Sequence, residues 1–370
     1  MTWSPLVDLF LDAAQVDALS LHERPMAEFV KARLEAAPVR ITEDAAAEAI
    51  GGNCGNLLCI PASYTSGLPT TALIAHLDTP RSTASVRPQV KDGRIASDGS
   101  TTLGVDNRAG VSVLLHWLRE QTSASGRENV IVVFTVAEEL GMYGAMHVDL
   151  GPYNVTKAFV FDCSKRPGTF IRAAVGSSLF TATFVGKSSH AGVSPEKGIN
   201  AIQLAAGALS RVRIGRLSPT MTSNFGIIKG GEATNVVPDR VTVEGEVREF
   251  DQHKIDDYLG VIEKTMGASA AEQGGSLEFS SRVDFPPFVL DDRSDVFALV
   301  SEVVREAGLE PHPIEYLGGS DANVLNAKGL PTVNLGIGAQ NPHGNDEFIL
   351  IEDLEKSYEI ALRIARHVTG

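Results

Sequence analysis

Five short stretches of the chain place an acid or a histidine where an apolar run stops. His76-Leu77-Asp78 follows Thr71 to Ala75 (TALIA), and Asp106-Asn107 precedes a helical stripe. Glu138-Glu139 closes VIVVFTVA, Asp162 closes Ala158 to Phe161, and His343 lies in QNPHGNDE. Imidazole is a good zinc ligand, and a nearby carboxylate can fix its tautomer. Each stretch alone has an ordinary reading: a turn with a satisfied histidine, an N-cap, an acidic first helical turn, a loop acid, a loop histidine. Together they offer two imidazoles and several carboxylates, an oxygen and nitrogen set suited to zinc, cobalt or manganese rather than copper or iron–sulfur. Two adjacent glutamates also permit one to bind metal while the other moves protons.

These residues need a rim to share. Thr71 to Ala75, Val130 to Val136 and Ala158 to Phe161 read as buried strands. Between them Val111, Leu114, Leu115 and Leu118 recur at helical spacing. Apolar strands alternating with helices predict an α/β domain, a mostly parallel sheet with helices on both faces. In such sheets ligands bind at the strand ends. Near Gly176 the pattern changes. Leu179 to Val185, Thr222 to Ile228, Arg240 to Val247 and Leu277 to Val283 alternate like half-buried strands. Two helices fall among them, one marked by Ile199, Ile202, Ala206 and Leu209, the other by Ile255, Tyr258, Leu259, Ile262 and Met266. The order β-α-β-β-α-β predicts a ferredoxin-like α+β domain. Asp284 to Pro287 reads as a hinge, after which helical (Val296 to Ala307, Ile351 to His367) and strand-like (Pro331 to Leu335) segments resume. The expected organisation is a discontinuous larger domain, 1–175 and 287–370, with an inserted domain, 176–286.

Composition excludes several classes. At about 150 residues per domain, 370 residues suit more than one. Lys plus Arg is 32 against 46 Asp plus Glu, a net charge of −14, and no basic cluster suggests nucleic acid. The longest apolar run, Val130 to Ala137, is far below the roughly 20 residues of a spanning helix, so no membrane partner is expected. The N-terminal MTWSPLVDLFLDAAQV has no basic leader and carries Asp8 and Asp12, which favours a cytoplasmic protein. Cys54, Cys59 and Cys163 form no C-x-x-C pair, which argues against a disulfide framework. Other catalytic motifs fail: His22-Glu23 is followed by Arg24-Pro25-Met26, not a second zinc histidine. Thr181 stands where a phosphate loop ending in Gly186-Lys187-Ser188 needs glycine. No G-x-S-x-G elbow occurs.

HLDTP, LGVDNRAG, AEELGMYGA, FDCS and PHGNDE, in that order, resemble the zinc exopeptidase family of aminoacylases, carboxypeptidases and peptidase T. GKSSHAGVSPEKGINAI and GGEATNVVPDRVTVEGEVRE look most like its peptidase T-like branch, the tripeptide aminopeptidases. The resemblance runs from about Ser20 to the C-terminus. It implies a di-zinc catalytic domain and a lid that also dimerises. It implies that His76 and Asp162 bind one ion, Glu139 and His343 the other, and that Asp106 bridges them. Asp78 would orient His76, and Glu138 would be the general base. His190 would stabilise the oxyanion, reaching the partner's site in a homodimer. Asn235 and Arg248 would hold the substrate's carboxylate end, although Arg248 shares its strand face with Arg240, Thr242, Glu244 and Glu246, as a merely solvated arginine would. The implied activity is release of N-terminal residues from short peptides by metal-activated water. An N-acyl amino acid deacylase or a carboxypeptidase with the same two-metal core is the alternative. Cys163 stands where the family pattern leads one to expect glycine, and Arg108 where lysine is common.

Overall fold

The computed structural model describes residues 3–120 and 129–367. Residues 1–2, 121–128 and 368–370, assigned above to the larger domain, lie outside the described residues. Contacts divide the chain into two units, Met1–Arg172 with Leu290–Glu315 and Ser320–Gly370, and Ala173–Val289 with Tyr316–Gly319. No helix among the described residues is long and apolar enough to cross a membrane.

The first unit is built on a sheet whose centre is parallel and whose margins are not. Val130–Thr135, Thr70–His76, Val155–Cys163 and Thr332–Gly336 lie side by side in that order, all parallel. Thr70–His76 and Val130–Thr135 are buried along their whole length, as strands covered on both faces must be. Outside them Leu57–Pro61 and Thr169–Ala174 run antiparallel to their inner neighbours. Parallel strands end on one edge. His76, Asp162 and the turn after Thr135 that carries Glu138-Glu139 therefore share a rim.

The helix Val105–Glu120 packs on Thr70–His76 and is covered in turn by Pro5–Ala14 and Ile351–His367. This double cover explains why Val113 and Trp117 are buried as well as the stripe Val111, Leu114, Leu115 and Leu118. Its approach to the sheet depends on Gly110. A Cβ there would lie 2.3 Å from the Phe161 carbonyl oxygen and 2.4 Å from Asn107 Oδ1.

The second unit is a five-stranded antiparallel sheet ordered Gly215–Arg216, Thr222–Gly230, Arg240–Glu249, Gly176–Val185, Ser276–Phe285. Phe180, Ala182 and Phe184 join Val241, Val243 and Val247 in a core with the helices Ala201–Leu209 and Gln252–Glu272. Asn200 and Asp251 cap those helices through bonds to the amides of Ile202 and His253. One helical face differs from the expectation. Ala201, Leu204, Ala205 and Ala208 are buried while Ile202 is half-exposed and Ala206 faces water. Alanines at the close helix–sheet contact outweigh the larger isoleucine, and hydrophobicity by itself does not say which of two apolar stripes packs.

Gly110→Ala is expected to destabilise the chain by about 1–3 kcal/mol through overpacking, because the atoms in its way belong partly to a strand backbone. Denaturant unfolding checks this; an unchanged midpoint would mean that helix and strand are not in close contact.

Candidate functional site

His76 ends its strand fully buried. Its Nδ1 lies 3.1 Å from the Asp78 carbonyl oxygen and 3.3 Å from Asp78 Oδ1, so the ring proton belongs there. Nε2 is left to face Asp106 Oδ1 at 3.0 Å and Asp162 Oδ1 at 3.2 Å. The other Asp106 oxygen, Oδ2, is 3.4 Å from His343 Nε2, which is 3.2 Å from Glu139 Oε1. One carboxylate thus serves two histidines, one with each oxygen. Donor atoms of His76, Asp106 and Asp162, of His76, Glu138 and Glu139, and of Asp106, Glu139 and His343 form three groups, each within 4.8 Å.

Electrostatics make this cluster incomplete as protein alone. Burial, then Asp162, pushes Glu138 well above the usual carboxylate range. Burial raises Glu139 to about 7 against the pull of His343. Burial and Asp106 raise Asp162. Asp106 is opposed by burial too, but His343 and His76 hold it low. Contacts with Asp106 and Glu139 lift His343 to about 10. Glu139 Oε1 is buried and, despite its nearness to His343, has no hydrogen-bond partner. Converging carboxylates, largely shielded from water, with an orphaned oxygen fit divalent cations. The two carboxylate–imidazole groups meeting at Asp106 fit two of them.

Supporting residues place the ligands. Asp78 Oδ1 accepts the Glu138 amide at 3.1 Å and Oδ2 the Glu139 amide at 3.2 Å, so it does more than orient His76. Glu347, buried, accepts the Thr102 hydroxyl at 2.8 Å and the amides of Gly104 at 2.7 Å and Asp106 at 3.2 Å. Asn107 Nδ2 donates to the Phe161 carbonyl at 2.8 Å, and Asn334 Oδ1 accepts the Cys163 amide at 2.9 Å, bracketing Asp162. Arg108 is fully buried, with Nη1 donating to the Leu77 carbonyl at 2.6 Å. Burial lowers it only to about 10, so it stays cationic beneath the loop. Cys163 is buried, its thiol pushed up to about 12 by desolvation, which disfavours the thiolate that a nucleophile needs. The sequence reading missed Glu347, Asn107 and Asn334 as supports. The places of Glu347 inside PHGNDE and of Asn107 inside LGVDNRAG were the hints of a role.

The other expected site residues belong to the second unit. His190 is exposed, and its Nδ1 accepts the amides of Gly192 at 3.1 Å and Val193 at 3.2 Å. His190 pairs with Val236, and the Asn235 carbonyl accepts the Ala191 amide at 2.9 Å, so Asn235, in the turn that leads into Val236–Val237, lies beside His190. Arg248 is bound through Nε and Nη2 to Glu246, at 3.1 and 2.9 Å. It is a half-buried, ion-paired group rather than a freely solvated one.

Metal binding at pH 7.5 is expected to release protons. His343 holds its proton up to about 10 and Glu139 titrates near 7, whereas ligands bind deprotonated. Affinity should therefore rise with pH. Calorimetry in two buffers of different ionisation heat measures the release; a heat independent of buffer would contradict it.

Residues 72–367 match the family described as Peptidase family M20/M25/M40. The Bacillus subtilis (strain 168) protein YqjE is 32% identical over 97% of both chains. A solved tripeptidase from Staphylococcus aureus subsp. aureus Mu50 is 32% identical, with a TM-score of 0.90 over 98% of both chains. A solved aminopeptidase PepT from Bacillus cereus ATCC 10987 is 31% identical, with a TM-score of 0.88 over 99% of this chain and 98% of that one. With its ligand-type residues converged and its relatives alike from end to end, the chain belongs to the M20/M25/M40 family of metallopeptidases.

Proposed function

We propose that the chain is a two-metal aminopeptidase that releases N-terminal residues from short peptides, tripeptides above all, in the manner of the peptidase T-like branch. The convergence of His76, Asp106, Glu139, Asp162 and His343 on one rim carries the reading. Full-length similarity to a tripeptidase and to PepT supports peptides over N-acyl amino acids. In this reading His76 and Asp162 hold one ion, Glu139 and His343 the other, and Asp106 bridges them. Zinc is the proposed metal, with cobalt or manganese as substitutes. When bound, such ions supply Lewis acidity and bring the pKa of water towards about 7.

The chain's own residues do the rest. Glu138 is beside the ligands, yet no described residue hydrogen-bonds its carboxylate. It is therefore free to take a proton from the attacking water and hand it to the leaving amine. Asp78 fixes the direction of His76 and, through two amides, the turn that aims both glutamates. With its Nδ1 accepting two backbone amides, a neutral His190 carries its proton on Nε2. That is the donor an oxyanion needs. Arg248, one edge held by Glu246, and Asn235 would bind the peptide's carboxylate end, a task that suits a planar fork. The larger domain, 1–175 and 287–370, is the catalytic one. The inserted domain, 176–286, is a lid through which two copies dimerise, each His190 serving the partner's metal centre. A cytoplasmic location goes with this reading.

A panel of tripeptides, tripeptide amides and N-acyl amino acids tests the substrate class. Free tripeptides should be cleaved best, and preference for N-acyl amino acids would assign a deacylase instead. Glu138→Gln should keep two ions per chain and lose about 10²–10⁴-fold in kcat, while Glu139→Gln should lose metal affinity. Near-normal turnover in Glu138→Gln would remove the base.

Complementation tests the shared site. Glu138→Gln and His190→Ala homodimers should each be nearly inactive. Refolded together they should recover roughly a quarter of wild-type activity, since random pairing makes half the dimers mixed, each with one intact composite site. No recovery despite proven exchange of subunits would place His190 in its own chain's chemistry or in none.

A further inference from the structure

Glu23 precedes the stretch that the family match covers. It is fully buried, and one oxygen does double work. Oε1 accepts the amides of Leu21 at 2.8 Å and Ala137 at 2.9 Å. Both of those residues are left-handed, Leu21 at φ 68° and Ala137 at φ 50°, a conformation disfavoured for any residue with a Cβ. Ala137 immediately precedes Glu138-Glu139, whose own amides are held by the two oxygens of Asp78. Asp78 Oδ2 also accepts the Ser20 hydroxyl at 2.7 Å. Three consecutive amides, at 137, 138 and 139, are therefore clamped by two buried carboxylates, and residues 20–23 reach both clamps.

We propose that Glu23 is a positioning residue, locking Ala137 in its left-handed conformation and thereby setting the aim of Glu138 and Glu139. The inference rests on the roles given to those two glutamates above; the clamp itself does not depend on them. It works by reach, not by charge. The second oxygen, Oε2, is buried without a hydrogen-bond partner, and no ion pair to Glu23 is recorded among the described residues. A carboxamide would still present one oxygen to both amides. An aspartate keeps the charge but is one methylene short.

Three variants separate these terms: Glu23→Gln, Glu23→Asp, and Glu23→Asp combined with Ala137→Gly. Circular dichroism and unfolding curves establish that each is folded. The first readout is hydrogen exchange of the peptide spanning residues 134–142 in metal-free protein, which needs no activity. Glu23→Gln should exchange like wild type, whereas Glu23→Asp should exchange about tenfold faster or more in that peptide, with the neighbouring strands unchanged. The second is turnover of a tripeptide. Glu23→Asp should lose about tenfold to 10²-fold in kcat with little change in KM, as misaimed groups do. Adding Ala137→Gly should restore much of it, because glycine adopts the left-handed conformation without a clamp. Wild-type protection in Glu23→Asp would overturn the proposal, and so would Glu23→Gln being damaged more than Glu23→Asp, which would make charge the working feature. Altered exchange together with a wild type that cleaves no peptide would leave the clamp standing and sink the peptidase reading.

Discussion

The fold gathers negative charge where water cannot screen it, and much of the structure answers that constraint. Asp78, Asp106, Glu138, Glu139, Asp162 and Asp321 all lie near His76, and burial raises most of them. Asp321 is a case in point: it receives a 2.6 Å bond from Thr135, yet burial still lifts it to about 7, with Asp162 and Asp78 adding to the effect. Carboxylates this close repel one another at low dielectric. The imidazoles of His76 and His343 and the guanidinium of Arg108 oppose them from within. A site so unbalanced is costly as bare protein and becomes favourable once divalent cations supply the missing charge, so stability is given up to create affinity.

That cost has to be borne by something rigid. The rim is the common edge of four parallel strands, three of them buried from end to end. The loops beyond the strands are then held residue by residue. Glu347 gathers the Thr102–Asp106 loop, Asn107 and Asn334 bracket Asp162, and Arg81 donates at 2.9 Å to the carbonyl of His343, itself left-handed at φ 68°. Surrounding bonds thus hold His343 in a backbone conformation that costs energy by itself.

How much of this was legible follows from the same physics. Fully buried strands must be apolar, so VIVVFTV and TALIA announced themselves, and alternation announced the second unit. The direction of the marginal strands was not legible, since Leu57–Pro61 is as apolar as any parallel strand. The candidate ligands were visible as acids and histidines where apolar runs stop, and the order of the motifs supplied the roles proposed for them. The supports were not. Glu347, Asn107, Asn334 and Glu23 look in sequence like ordinary polar residues of a loop, a cap or a strand, because burial of a polar side chain against backbone groups leaves no periodic trace. Arg108 was visible only as an exchange for lysine; that its guanidinium is wholly buried beneath Leu77 comes from the packing alone.

The two adjacent glutamates show how one peptide step can separate two chemistries. Glu138 is buried, Glu139 largely so, and both are raised, but Glu139 has His343 at 3.2 Å while no described residue hydrogen-bonds the Glu138 carboxylate. Its proton is held by desolvation and by Asp162, with Asp321 and Glu139 adding smaller contributions. Positive charge placed between the carboxylates offsets the repulsion from the three acids and opposes the effect of burial. In the role proposed for it, Glu138 would therefore act as a base to the degree that the site around it is filled. Proton transfer would then be tied to a loaded centre without any moving part, provided that the turn from Ala137 to Glu139 stays where its three amides are held.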